Sequence, residues 1–141
     1  MSSTHKQVPL FNPINQKHIN IDLNIAELIL NLWQLGINTI LSCEDNFDTV
    51  WIQFSYDDAK RFLNFLVKQR DNHPELFSNI ISEEFWKYST NIIDRSEIYD
   101  KQKDEISRNT RSTIDFEIGI RFPKEDYYIV LNILKREKVV F

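Results

Sequence analysis

The chain is expected to fold as one α+β domain, an antiparallel sheet of four to five strands with about three helices on one face. Two observations carry this expectation. Amphipathic helical stripes end on clear stop signals, and segments of period-two alternation run straight into helices. With 141 residues, 42% hydrophobic and 13% aromatic, the chain can remove about two thirds of its unfolded surface from water. Two glycines and four prolines leave little material for linkers, so residues 1–141 read as a single domain.

Residues 1–16 are polar, broken by Pro9 and Pro13, and read as an N-terminal arm. Lys17 to Asp22 alternates as a short strand. The first helix starts with Asn24 as its cap and Glu27 three residues on. Ile25, Leu28, Ile29, Leu32 and Trp33 form its buried stripe. Gly36 ends it, because the left-handed conformation costs glycine nothing, and Ile37 then folds back towards Leu32.

Residues 37–43 are predicted as a strand with Ile37, Thr39, Leu41 and Cys43 on one face. Residues 44–48 read as a polar turn, and Thr49 to Ser55 as the returning strand of a hairpin. Val50, Ile52 and Phe54 face the core there, with Trp51 and Gln53 opposite. Ser55 and Asp58 start a second helix that His73-Pro74 stops. Residues 75–84 are ambiguous, compatible with a short helical turn, and 85–93 read as a strand. Residues 95–111 are a charged excursion. From Ile114 to Phe122 the alternation is clean, with Asp115, Glu117, Gly119 and Arg121 on a wet face. Pro123 opens a last helix with Tyr127, Val130, Leu131 and Leu134 as its stripe.

A shift of 68 residues overlays Val50, Ile52 and Phe54 on Ile118, Ile120 and Phe122. It also overlays Asp58, Leu63, Asn64 and Leu66 on Asp126, Leu131, Asn132 and Leu134. A duplicated hairpin-plus-helix unit accounts for this, as does the ordinary likeness of one strand-to-helix unit to another.

The net charge of −4 supplies no global field for phosphate backbones or anionic lipid, which argues against nucleic acid and membrane partners. The start has no apolar run of signal-peptide type, and one cysteine permits no internal disulfide. A soluble cytoplasmic protein is expected.

Ser42, Cys43, Glu44 and Asp45 are the candidates for catalysis. A thiolate at Cys43 needs a lowered pKa, and acidic neighbours oppose that; His18 is the histidine placed to approach it. The competing reading is a packing residue. Ser42, Glu44, Asp45 and Asp48 offer oxygen ligands, but their spacing matches no EF-hand, and a solvated turn explains them. Three scattered histidines and one cysteine make no zinc constellation, so neither metal nor cofactor is expected. Trp51 and Gln53 are the candidate binding residues, Trp51 being an exposed anchor unless the arm, the excursion or a second subunit covers it.

The run Leu32-Trp33-x-Leu35-Gly36-Ile37-x-Thr39-x-x-Ser42-Cys43-Glu44, with Trp51-Ile52-x-Phe54 after it, resembles small uncharacterised proteins of bacteria, phages and large DNA viruses. The segment Ile120-Arg121-Phe122-Pro123 is similar to theirs as well. The resemblance implies a domain type and no chemistry. The expected function is a non-enzymatic protein-interaction or small-ligand-binding domain, with a homodimer allowed. The alternative is a small enzyme or thiol-dependent activity centred on Ser42, Cys43, Glu44 and Asp45.

Overall fold

Two β-hairpins, each feeding a helix, meet along their second strands to build the main sheet. The computed structural model describes residues 5–45, 48–94 and 114–139. In chain order the elements are β1 (Gln7–Asn12), β2 (Lys17–Asp22), α1 (Ala26–Gln34), β3 (Leu41–Asp45) and β4 (Thr49–Ser55). Then come α2 (Tyr56–Val67), α3 (Pro74–Ser82), β5 (Lys87–Asp94), β6 (Ile114–Pro123) and α4 (Tyr127–Val139). The main sheet has the order β3-β4-β6-β5, all antiparallel, and β1-β2 forms a separate two-stranded ribbon. This is the α+β class expected, with the four-stranded sheet, a second small sheet and four α-helices among the described residues.

The central pairing makes the internal echo geometric. Ile52 lies opposite Ile120, Val50 opposite Phe122 and Phe54 opposite Ile118. The residues related by the 68-residue shift therefore exchange places about an approximate two-fold axis through the Ile52–Ile120 pair. Each central strand then continues into a helix, and α2 and α4 meet over the same sheet face. Val50, Ile52, Phe54, Ile120 and Phe122 are completely buried there.

An aromatic ladder crosses this core. Phe54 stacks on Phe62 at 5.1 Å, Phe62 lies 6.5 Å from Trp86, and Trp86 stacks on Phe122 at 4.5 Å. The Trp86 indole N–H donates to the Asp126 carboxylate at 2.8 Å, so the buried ring leaves no donor unmet. The β5–β6 hairpin outruns β4, whose last partner is Glu117, so Ile92, Ile114 and Phe116 continue the core-facing stripe into solvent.

Helix starts and stops follow local chemistry, except at Asn24 and Pro123. Ser55 caps α2, its hydroxyl accepting from the Asp58 amide at 3.2 Å. Pro74 occupies the first turn of α3, so the ambiguous stretch is helical. Gly36, at φ +81°, ends α1 in a Schellman arrangement: Ile37 N–H donates to Leu32 and Gly36 N–H to Trp33, each at 2.9 Å. Arg61 of α2 then donates to the Gly36 and Leu35 carbonyls at 2.6 and 3.2 Å. Asn24 caps nothing: a 3₁₀ turn at Leu23–Ile25 precedes α1, which starts without a side-chain cap bond. Pro123 likewise belongs to the end of β6, and a second 3₁₀ turn at Lys124–Asp126 leads into α4.

The segment expected as an arm carries β1, whose edge docks through Asn12. The fully buried Asn12 amide donates to Asn38 at 2.8 Å. Residues 37–40 are not the start of a strand. Ile37 and Thr39 are buried, and Thr39 accepts the Trp33 indole N–H at 3.1 Å. Strand pairing begins at Leu41 and runs through Glu44 and Asp45, so the predicted polar turn at 44–48 begins later than expected. The charged excursion 95–111 lies outside the described residues.

On the open sheet face the Trp51 indole lies over Gly119. A Cβ at that position would stand 3.0 Å from Trp51 Nε1 and 2.7 Å from Ser89 Oγ. Trp51 is thus half-buried against its own sheet. Gly119→Ala is expected to cost about 1–3 kcal/mol by overpacking and to raise acrylamide quenching of the indole as it is lifted away. Denaturant titration and quenching measure both. Gly36→Ala is expected to lose about 1 kcal/mol in the same titration, because alanine resists the positive φ.

Candidate functional site

The register of β3 against β4 decides which way the Ser42–Asp45 run points. Opposed residues in an antiparallel pair share a face, and Glu44 pairs with Val50 while Ser42 pairs with Ile52. Both therefore face inward with the core residues. Cys43 pairs with Trp51 and Leu41 with Gln53, on the open side. Ser42 Oγ is buried without a hydrogen-bond partner among the described residues. Cys43 is half-buried, its thiol 3.6 Å from the Glu44 carbonyl oxygen. Asp45 contributes its backbone to the pairing with Thr49. Ser42 and Glu44 thus face away from Cys43 instead of converging with it. His18 packs against Phe11, with ring centroids 5.1 Å apart. Gln53 is buried beside Glu117 and donates a short hydrogen bond to it. Trp51 and Gln53 belong to the open face, away from the pocket described next.

Glu44, only 5% exposed, is the centre of the site. Its Oε2 accepts from the Asn24 amide at 2.9 Å and lies 3.0 Å from the Lys124 ammonium. The Asn24 side chain thus turns to β3, while α1 begins after the 3₁₀ turn with Ile25 at its cap position. Lys124 is held in place because its own N–H donates to the Asp48 carbonyl at 2.9 Å, pinning the turn after β6 to the turn before β4. A second buried carboxylate, Asp22 at the end of β2, accepts the Glu44 N–H at 2.7 Å and the Gln7 amide at 3.1 Å.

Between these elements lies a pocket of about 350 Å³, lined by Asn24, Ile25, Glu44, Val50, Lys124, Tyr127 and Tyr128. That volume suits a small molecule. Asn24 and Ile25 come from the turn before α1, Glu44 and Val50 from β3 and β4, and Lys124, Tyr127 and Tyr128 from the entry to α4. Tyr127 is nearly buried and meets Tyr128 edge-on at 5.1 Å, while Tyr128 stands 70% exposed at the mouth.

Burial works to raise both carboxyl pKa values, but polar partners outweigh it. The Glu44 amide, Gln7 and His5 hold Asp22 below its ordinary value. Asn24, Lys124 and His5 do the same for Glu44. Burial, aided by Glu27, Tyr128 and Glu44 and opposed by a backbone hydrogen bond at Leu28, pushes the Tyr127 phenol up to about 12. At neutral pH the Glu44 carboxyl is thus ionised and the Tyr127 phenol neutral.

Sequence reasoning named Glu44 among the catalytic candidates but placed it in a turn, and it missed Asn24, Lys124, Tyr127 and Tyr128 as its surroundings. A single signal was present: with Val50 and Ile52 facing the core, their hairpin partners had to face it too. That inference needed the register, which the misplaced turn obscured.

The fold and pocket define an α+β domain with a polar, ligand-sized cleft at one end of its sheet. No family model matches the chain, and no solved structure matches it. It is similar to an uncharacterized protein of Acanthamoeba polyphaga mimivirus, 30% identical over 130 residues, covering 85% of this chain and 63% of that protein. The chain thus spans just under two thirds of that relative's length. The likeness to a large-DNA-virus protein agrees with one of the three sources that the sequence resemblance implied. Among the described residues, no helix is long and apolar enough to cross a membrane.

The two lowered carboxyl pKa values have a definite consequence for acid stability. Each carboxyl binds protons more weakly folded than unfolded, so its stabilisation is complete well above its unfolded value of about 4 and is lost as pH falls through the lowered folded value. Urea titrations from pH 7 downward are expected to show stability falling below about pH 4.5. Glu44→Gln is expected to be less stable at pH 7 and to have a shallower acid limb.

Proposed function

We propose that this chain is a non-enzymatic small-ligand-binding domain whose site is the Glu44–Lys124 pocket. The observation that carries the reading is a cleft of about 350 Å³ with a buried ionised carboxylate at its wall and a partly exposed ammonium against it. Burying a carboxylate is unfavourable unless it is fully paired, and no packing requirement of the sheet asks for one at this position. Lys124 and Glu44 satisfy each other, so a ligand enters by competing for one of them. Lys124 is the adjustable member because its side chain is 37% exposed and Glu44's is 6%. A molecule with an anionic or strongly accepting head for Lys124, and a flat apolar body for Tyr128, matches the lining.

Two features support binding over catalysis by the Ser42–Asp45 run. Cys43 and Glu44 point to opposite faces of β3, and the Ser42 hydroxyl is buried on the core side. A nucleophile and its base need hydrogen-bond reach of one reacting atom. The acidic composition and lone cysteine support a reducing, cytoplasmic setting.

The test is a ligand-observed NMR screen of small aromatic carboxylates and phosphates against the full chain, repeated with Lys124→Met and Tyr128→Ala. Hits are expected to weaken at least tenfold in Lys124→Met and severalfold in Tyr128→Ala, with the fold unchanged by circular dichroism. Hits indifferent to both substitutions, or no hits at millimolar concentration, would overturn the reading.

A further inference from the structure

The pocket uses one oxygen of Glu44, and the other faces a different group of donors. Glu44 Oε1 lies 3.8 Å from His5 Nδ1, which is itself 3.3 Å from Asp22 Oδ2. One ligand atom from each of these residues lies within 4.8 Å of the other two. The three side chains come from separate places in the chain: the segment before β1, the end of β2 and the end of β3. They meet because the ribbon lies beside β3, the Leu23 N–H donating to the Lys6 carbonyl at 2.8 Å and the Glu44 N–H to Asp22.

Two features single this cluster out from an ordinary surface group of acids. Asp22 and Glu44 are 3% and 5% exposed, so both carboxylates have been taken out of water. Glu44 Oε2 takes both Asn24 and Lys124, whereas Oε1 is turned to the imidazole side, 3.8 Å from His5 Nδ1. The charge balance agrees. Lys124 neutralises the cluster from the pocket side only, against Oε2. Two buried negative charges therefore share one permanent cation, and the surplus lies on the His5 side.

We propose that His5 Nδ1, Asp22 Oδ2 and Glu44 Oε1 are the protein ligands of a divalent transition-metal site, best matched to Zn²⁺. One imidazole nitrogen and two carboxylate oxygens form a mixed donor set of the kind zinc takes, with bonds of about 2.0–2.2 Å. Such bonds bring neighbouring ligand atoms to roughly 3.2–3.6 Å in tetrahedral geometry. The 3.3 and 3.8 Å separations already approach that range, so rotation of the His5 ring and the Glu44 carboxyl completes the site. Binding takes the neutral imidazole with its proton on Nε2, leaving the Nδ1 lone pair for the metal. Gln7, donating to Asp22 Oδ1 at 3.1 Å, orients that carboxylate from behind. Three protein ligands leave the fourth position to water or a bound anion. The site shares Glu44 with the pocket but does not depend on the pocket's being occupied.

The experiment is calorimetric titration of Zn²⁺ into the chelator-treated, tag-free full chain, with thermal unfolding read in parallel. Wild-type protein is expected to bind one equivalent and to gain thermal stability. His5→Ala, a change outside the core, is expected to weaken binding at least tenfold and to lose the thermal gain. His18→Ala and His73→Ala are expected to bind as wild type does. Ca²⁺ and Mg²⁺ are expected to bind at least tenfold more weakly, since neither favours an imidazole. Undiminished binding in His5→Ala, loss of binding in the His18 or His73 variant, equal affinity for Ca²⁺, or no saturable Zn²⁺ binding would overturn the proposal. The titration contains no small organic molecule, so its failure leaves the pocket reading intact, and Lys124→Met in the NMR screen tests that reading separately.

Discussion

The structure depends on the antiparallel pairing of β4 with β6. These strands lie far apart in the chain, and each is the second strand of its own hairpin. Placing them side by side brings α2 and α4, which leave their ends, onto one face of the sheet. The approximate two-fold axis at Ile52–Ile120 then makes the core a meeting of two similar units rather than one continuous layer. A hairpin with one helix leaves much of its apolar stripe in water. Two of them back to back bury Phe54, Phe62, Trp86 and Phe122 as one stacked column. The same pairing fixes where a cleft can form. Where Thr49 faces Pro123 the pairing ends, α4 has not yet begun, and the turn before α1 crosses the gap.

Glu44 occupies that gap, and its burial organises the surroundings. Desolvating a carboxylate is unfavourable by several kcal/mol unless partners replace the lost water. Asn24 and Lys124 serve as those partners at Oε2, and His5 lies on the Oε1 side. The Lys124 side chain is drawn in against the carboxylate and is 37% exposed. An apolar side chain at this position would pack without that cost.

The fold was legible wherever a signal was local. Gly36 ended α1 in the expected motif because a positive φ and two backbone bonds involve only neighbouring residues. Thr49–Ser55, Lys17–Asp22 and the Ser55 cap followed their patterns for the same reason. The misplacements came where a residue answered to a distant partner. Asn24 had the spacing of a cap but bonds Glu44, twenty residues on. Residues 37–40 had the alternation of a strand, yet Ile37 and Thr39 are fixed by α1 and the regular ladder with β4 begins at Leu41.

The sequence by itself determined the fold class, the helix stripes and the core face of each central strand, because hydrophobic periodicity and capping act over a few residues. It also determined that no consecutive run of residues carries a recognisable catalytic motif. Only the tertiary structure decided that Glu44 faces inward, since a one-residue change of register turns every side chain of a strand to the other face. Only the tertiary structure brought Lys124 from after β6, Asp22 from β2 and His5 from the segment before β1 to that carboxylate. The physical reason is range. A patterning signal lies in neighbouring residues, whereas a buried charge is satisfied by whichever elements the packed sheet and ribbon place around it.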